Sequence, residues 1–213
     1  MSPTLLTRGL LIGVLVVLVV VALAFYRHQN AERRMGGAIS LAKMFWLSFA
    51  VGVWFLVCPI LALDTSVHLG LRWILGCFAA FMWMRGVVEL FMMYVTRNWR
   101  PPYGIAHSVS SIVLLVVASG WQFNSLRTIG AGYDLWVLAL LGVVLASLVL
   151  EVGYAAAFYR VVGERTVGGE AVWYASASDE QFRKINQVTT AFNILLYMFL
   201  VAFVLVSVVG GGG

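Results

Sequence analysis

Residues 83–107 read WMRGVVELFMMYVTRNWRPPYGIAH. Inside this stretch Arg85 and Glu89 stand four residues apart in an otherwise apolar run, which ends in a basic turn stopped by Pro101 and Pro102. Residues four apart on a helix share a face, so the two charges are placed to pair. An apolar run closed by Arg97, Arg100 and two prolines is the pattern of a helix leaving a membrane. Charges at membrane depth are costly, which makes Arg85 and Glu89 the first place to look for function.

The rest of the chain is the same kind of sequence. Of 213 residues, 62% are hydrophobic and 11% charged, too few polar groups to cover a soluble core. The fold class expected is all-α, a polytopic membrane bundle. Apolar runs at 10–26, 42–63, 73–96, 105–123, 135–159 and 191–209 are each suited to one bilayer crossing of roughly 20 residues. Ala22-Leu23-Ala24 has the small-residue spacing of a signal-peptidase site. Arg27, Arg33 and Arg34 follow the run, however, and it reads as a retained first helix.

Six crossings put both termini on one side, and the basic residues say which. Ten of the 14 Lys and Arg fall in or beside the loops after the first, third and fifth spans: Arg27, Arg33, Arg34, Lys43, Arg97, Arg100, Arg160, Arg165, Arg183 and Lys184. Arg8, Arg72 and Arg127 lie opposite, and Arg85 is within a span. The positive-inside rule then makes those three loops cytoplasmic and both termini external, as in a bacterial inner-membrane protein. Trp46, Trp73, Trp99, Trp121 and Trp136 fall near span ends, where indole rings anchor in headgroups.

The loop at 161–190 is the longest. Within it, Ser178 and Gln181 have capping-box spacing, which starts a helix near 179 that continues into the last span. From 179 to 209 such a helix reaches about 46 Å, longer than the bilayer is thick. Its first turns, with Arg183 and Lys184, join Arg97 and Arg100 as contacts for a cytoplasmic partner or for headgroups. The closing glycine run at 210–213 reads as a flexible tail.

Depth arithmetic gathers the scattered polar residues. At 1.5 Å per residue, Glu89 and Glu151 both fall about 6 Å to the cytoplasmic side of the midplane, with Ser111 about 5 Å and His107 about 10 Å. Asn186, Thr190, Asn193 and Tyr197 make one polar stripe entering from the cytoplasm. The expected buried cluster is therefore Arg85, Glu89, Glu151, Ser111, His107, Asn193, Thr190 and Tyr197. The spans at 10–26 and 42–63 are almost free of polar groups and are expected to face lipid or a partner. His107, beside the basic turn, reads as a headgroup contact or helix-start residue.

Several classes find no support. There is no nucleophile elbow, zinc-protease motif, P-loop or dinucleotide fingerprint. No metal-ligand spacing, pair of haem-ligating histidines at one level or basic-aromatic nucleic-acid surface is present, and no cofactor is expected. Cys58 and Cys77 read as free buried thiols, and the methionines near Arg85 as core filler.

One Arg and two Glu at one depth leave a surplus negative charge when all are ionised. That suits a proton or ion site; mutual pairing as a packing lock or subunit contact accounts for the same residues. Short outer loops and a protruding last helix favour a non-enzymatic subunit that scaffolds a larger membrane complex. Proton- or ion-coupled transport through Arg85, Glu89 and Glu151 is the alternative, and a small enzyme acting on lipid or quinone the second. The expected partners are the lipid bilayer and other membrane subunits.

Overall fold

The computed structural model describes residues 20, 24, 41–96, 98, 100–130, 132–163 and 180–209. The 10–26 span, Arg97, Trp99, the Ser178 cap and the 210–213 tail lie outside the described residues, apart from helical Val20 and Ala24. The elements are α1 (Leu41–Phe49), a π-helical stretch (Ala50–Val57), α2 (Cys58–Leu63), α3 (Leu69–Tyr94), α4 (Pro101–Trp121), the short α5 (Phe123–Leu126), α6 (Tyr133–Val162) and α7 (Glu180–Val209). Five helical stretches are long and apolar enough to cross a membrane, and no strand occurs among the described residues.

The π-helical stretch has a cause in Pro59. Proline lacks the N–H that would take the Phe55 carbonyl in an α-helix, and its ring crowds that carbonyl. The helix widens upstream, so that Cys58 N–H reaches the Val53 carbonyl five residues back. The Phe55 carbonyl accepts the indole N–H of Trp83 on α3 at 3.2 Å. Gly86, one turn on, lets Phe55 come this close: a Cβ there would stand 2.8 Å from the Phe55 ring.

The crossings close into a ring. The α1–α2 crossing packs on α3, α3 on α4, α4 on α6 and α6 on α7, while α7 returns to α1. Trp54 reaches across to α6, donating to Ser147 Oγ at 3.1 Å, and the Ser147 hydroxyl donates in turn to the Val144 carbonyl at 2.6 Å. The 42–63 span was expected to face lipid or a partner, yet its membrane window is 50% buried within this chain, the most of the five. Trp46, Phe49, Trp54, Cys58 and Leu61 are all core residues. Large aromatic area makes a span interior as readily as polar groups do. Trp46, expected as an interfacial anchor, is likewise buried, against Tyr154. Trp73 and Trp121 are exposed. Cys58 is buried but Cys77 is exposed, which corrects the pair of buried thiols.

The two ends of the bundle differ. At one end Asp64 Oδ1 accepts from the amide and hydroxyl of Ser66, and Tyr133 donates to Oδ2 at 3.2 Å. His68 caps α3 by accepting the Gly70 N–H at Nδ1, while its own N–H donates to Asp134 at 2.7 Å. Burial pushes the Asp64 carboxyl up, but the donors Ser66 and Tyr133, with Arg72 nearby, outweigh it and hold it below the usual carboxylate value.

At the other end α6 and α7 overhang. Asn193 Nδ2 donates to the Ala42 carbonyl at 2.6 Å, so α7 extends about 20 Å beyond the start of α1. The overhang has its own small core of Tyr154, Phe158 and Ile185, with Thr189 donating to the Tyr154 hydroxyl at 3.3 Å. Gly163 ends α6 at φ +66°, a conformation that glycine adopts without a Cβ clash.

Candidate functional site

The turn that opens the sequence reading sets the geometry of the site. Arg100 is extended, at φ −130° and ψ 151°, as a residue before proline must be. Pro101 and Pro102 then occupy the first helical positions, where the missing N–H costs nothing. Helix α4 therefore starts abruptly and runs back antiparallel to α3, which brings His107 opposite Glu89.

Glu89 Oε1 accepts from Arg85 Nε at 2.9 Å and lies 2.9 Å from His107 Nδ1. Arg85 Nη2 is 4.0 Å from Glu151 Oε1 on α6. Three helices thus contribute one guanidinium, two carboxylates and one imidazole to a single cluster. The side chains are 7% exposed for Arg85, 20% for Glu89, 15% for Glu151 and 27% for His107. Buried Arg85 Nη1 makes no hydrogen bond among the described residues.

Of the eight residues expected in one cluster, the structure brings Arg85, Glu89, Glu151 and His107 together. His107 is a partner of Glu89 across the helix pair, where a headgroup or helix-start role was expected. Ser111 lies behind it, fully buried, and donates to the His107 carbonyl at 2.8 Å with Met82 Sδ 3.6 Å away. Its hydroxyl supports the backbone of α4 and touches no charge.

The α7 residues stand elsewhere. Helix α7 packs on α6 through Ile185, Thr189 and Leu196, so a stripe one residue on is turned by about 100°. Asn186, Thr190, Asn193 and Tyr197 accordingly line a groove against α1, and Thr190 and Tyr197 are exposed. Depth alone could not tell the two faces apart. Arg100 and Arg183 are exposed, and Lys184 pairs with Glu180 at 2.7 Å, holding that carboxyl below its usual range.

Sequence reading missed the Asp64–His68–Asp134 cap. Its signal is local: Asp64-Thr65-Ser66 has the spacing at which an Asp side chain closes a turn on the amide two residues on. Among the described residues no group of three or more His, Cys, Asp and Glu is arranged to hold a metal ion. Comparison with protein families, curated proteins and solved structures gives no match.

Proposed function

We propose that the protein is a membrane component that binds and releases one proton at the Arg85–Glu89–His107–Glu151 cluster. The observation that carries this reading is the sharing of Glu89 Oε1 between Arg85 and His107. Arginine keeps its charge in proteins, so with both glutamates ionised and His107 neutral the cluster holds one surplus negative charge. One proton, on His107 or on a carboxyl, brings it to zero, and a low-dielectric surrounding favours that balance. His107 has the greatest exposure of the four and is the natural point of proton entry, while Arg85 holds Glu89 in place.

In this reading the chain has six crossings in a bacterial inner membrane, with residues 10–26 as the first and both termini outside. The site then opens toward the cytoplasm through the Arg100–Pro101 turn. The test is proton flux in liposomes holding the purified protein. Wild type should dissipate an imposed pH gradient, and Glu89→Gln and Glu151→Gln should lose most of that flux while still folding. Undiminished flux in both variants sinks the proposal.

A second reading, a subunit of a larger assembly, draws on the α6–α7 overhang. Its core of Tyr154, Phe158 and Ile185 holds Arg183 and Lys184 out beyond the bundle, available to a partner. Purification from native membranes in mild detergent, with every co-purifying chain identified at fixed ratio, tests it. A clean single-component preparation argues against it.

A further inference from the structure

The groove between α1 and α7 lies apart from the charge cluster and is an open cleft of about 830 Å³, within the roughly 300–1,000 Å³ of sites that hold one small ligand. Ala42 and Phe45 form one wall, and residues from Asn186 to Ala202 form the other. Polarity changes along it. Asn186 and Thr190 lie toward the Glu180 end of α7, and Ile194, Met198, Val201 and Ala202 toward its Val209 end.

The Asn193–Ala42 hydrogen bond sets the depth of this gradient, because Ala42 lies just ahead of the apolar stretch Phe45–Leu63. Asn186 and Thr190 therefore stand at the level where the first described crossing enters the bilayer, among headgroups, and the apolar part lies beside acyl chains. Among the described residues the side chains of Asn186, Thr190 and Tyr197 make no hydrogen bond. Tyr197 stands deeper, where hydrocarbon offers no partner. Asn186 and Thr190 stand where headgroup and ester oxygens can accept from them, so an occupant with polar atoms at this level fits better than bare chains.

Charge favours an anion at the polar end. Exposed Arg183 is seven residues before Thr190 and so on the same helix face. The nearest described acid, Glu180, is engaged by Lys184. From Asn186 to Ala202 the groove runs about 24 Å, close to the depth of one leaflet with its headgroups, half of roughly 40–45 Å.

We propose that this groove seats one anionic phospholipid of the surrounding leaflet. The phosphate lies toward Arg183, the glycerol and ester oxygens accept from Asn186 and Thr190, and one acyl chain runs along Ile194, Met198 and Ala202. The lipid completes the wall between α1 and α7.

Native mass spectrometry of the full chain released from detergent, with phosphatidylglycerol or phosphatidylcholine added, tests the proposal. One phosphatidylglycerol per chain should be retained, about fivefold more strongly than phosphatidylcholine for one interfacial arginine. Arg183→Gln, outside the bundle core, should bring the two lipids to near parity. Ala202→Trp should fill the tail end and abolish retention of both. Equal retention of the two lipids by wild type, or retention unchanged in Arg183→Gln, overturns it. A photo-crosslinker at position 198 gives a check that does not need Ala202→Trp to fold: capture of lipid supports the proposal, and capture of a polypeptide overturns it.

Discussion

Nδ1 of His107 lies 2.9 Å from Oε1 of Glu89, joining α4 to α3 at the oxygen that also accepts from Arg85. Arg85 is thus the one fixed positive charge beside two carboxylates, and the cluster depends on its members unequally. Arg85→Met should destabilise the folded protein by about 3–5 kcal/mol, the usual cost of leaving buried charge without its partner. Glu89→Gln, which leaves Glu151 beside Arg85, should cost clearly less. Thermal melts in detergent decide this, and equal losses would remove Arg85 from its central place.

The Trp83–Phe55 hydrogen bond should matter only because Pro59 removes the normal α-helical donor. Trp83→Phe is expected to cost about 0.5–1.5 kcal/mol. In a Pro59→Ala background the same change should cost little, since position 59 then supplies an N–H. A double-mutant cycle on melting free energies with no coupling between the two positions contradicts this account of the π-helical stretch.

Ser147 has a different task. It gives the buried Trp54 indole its acceptor at 3.1 Å, so Ser147→Ala leaves a donor with nowhere to go and should cost about 1–3 kcal/mol. Adding Trp54→Phe removes the stranded N–H, and the double variant should recover part of that loss. Chemical denaturation of the three variants tests the order; a double variant weaker than the sum of its singles contradicts it.

Asp64 makes a pH prediction at the other end of the bundle. Its folded-state carboxyl is held below the ordinary 3.8, so on acidification the unfolded chain takes up the proton first. The contribution is fully present above 3.8 and drains away as pH falls below it toward the folded value. Asp64→Asn should flatten the acid limb of a melting-temperature profile and leave the neutral region nearly parallel. An unchanged acid limb rules the carboxylate out.

What could be read from the sequence followed from rise per residue. That arithmetic set Glu89 and Glu151 at one level, with Arg85 about one helical turn to one side of it and His107 about 4 Å to the other, and levels are what a helix preserves. Azimuth was not legible: Asn193 and Tyr197 share the depth of the cluster but turn to α1, because Ile185, Thr189 and Leu196 take the α6 side of α7. Absence of polar groups also misplaced the 42–63 span, whose aromatics fill the middle of the bundle. Pro59 was the visible sign of the π-helical stretch, and Asp64-Thr65-Ser66 of the outer cap.

The claim that the cluster exchanges a proton is tested most directly by infrared difference spectroscopy of the purified protein through an alkaline-to-acid titration. Beyond the uptake by the chain's other carboxyls and histidines, wild type should take up one further proton at the cluster, seen in the imidazole or carboxyl bands. His107→Gln, which keeps a hydrogen-bond donor for Glu89 but cannot carry the added charge, should melt like wild type and lose that uptake. A His107→Gln variant that titrates as wild type does would show that the cluster only locks α3, α4 and α6 together.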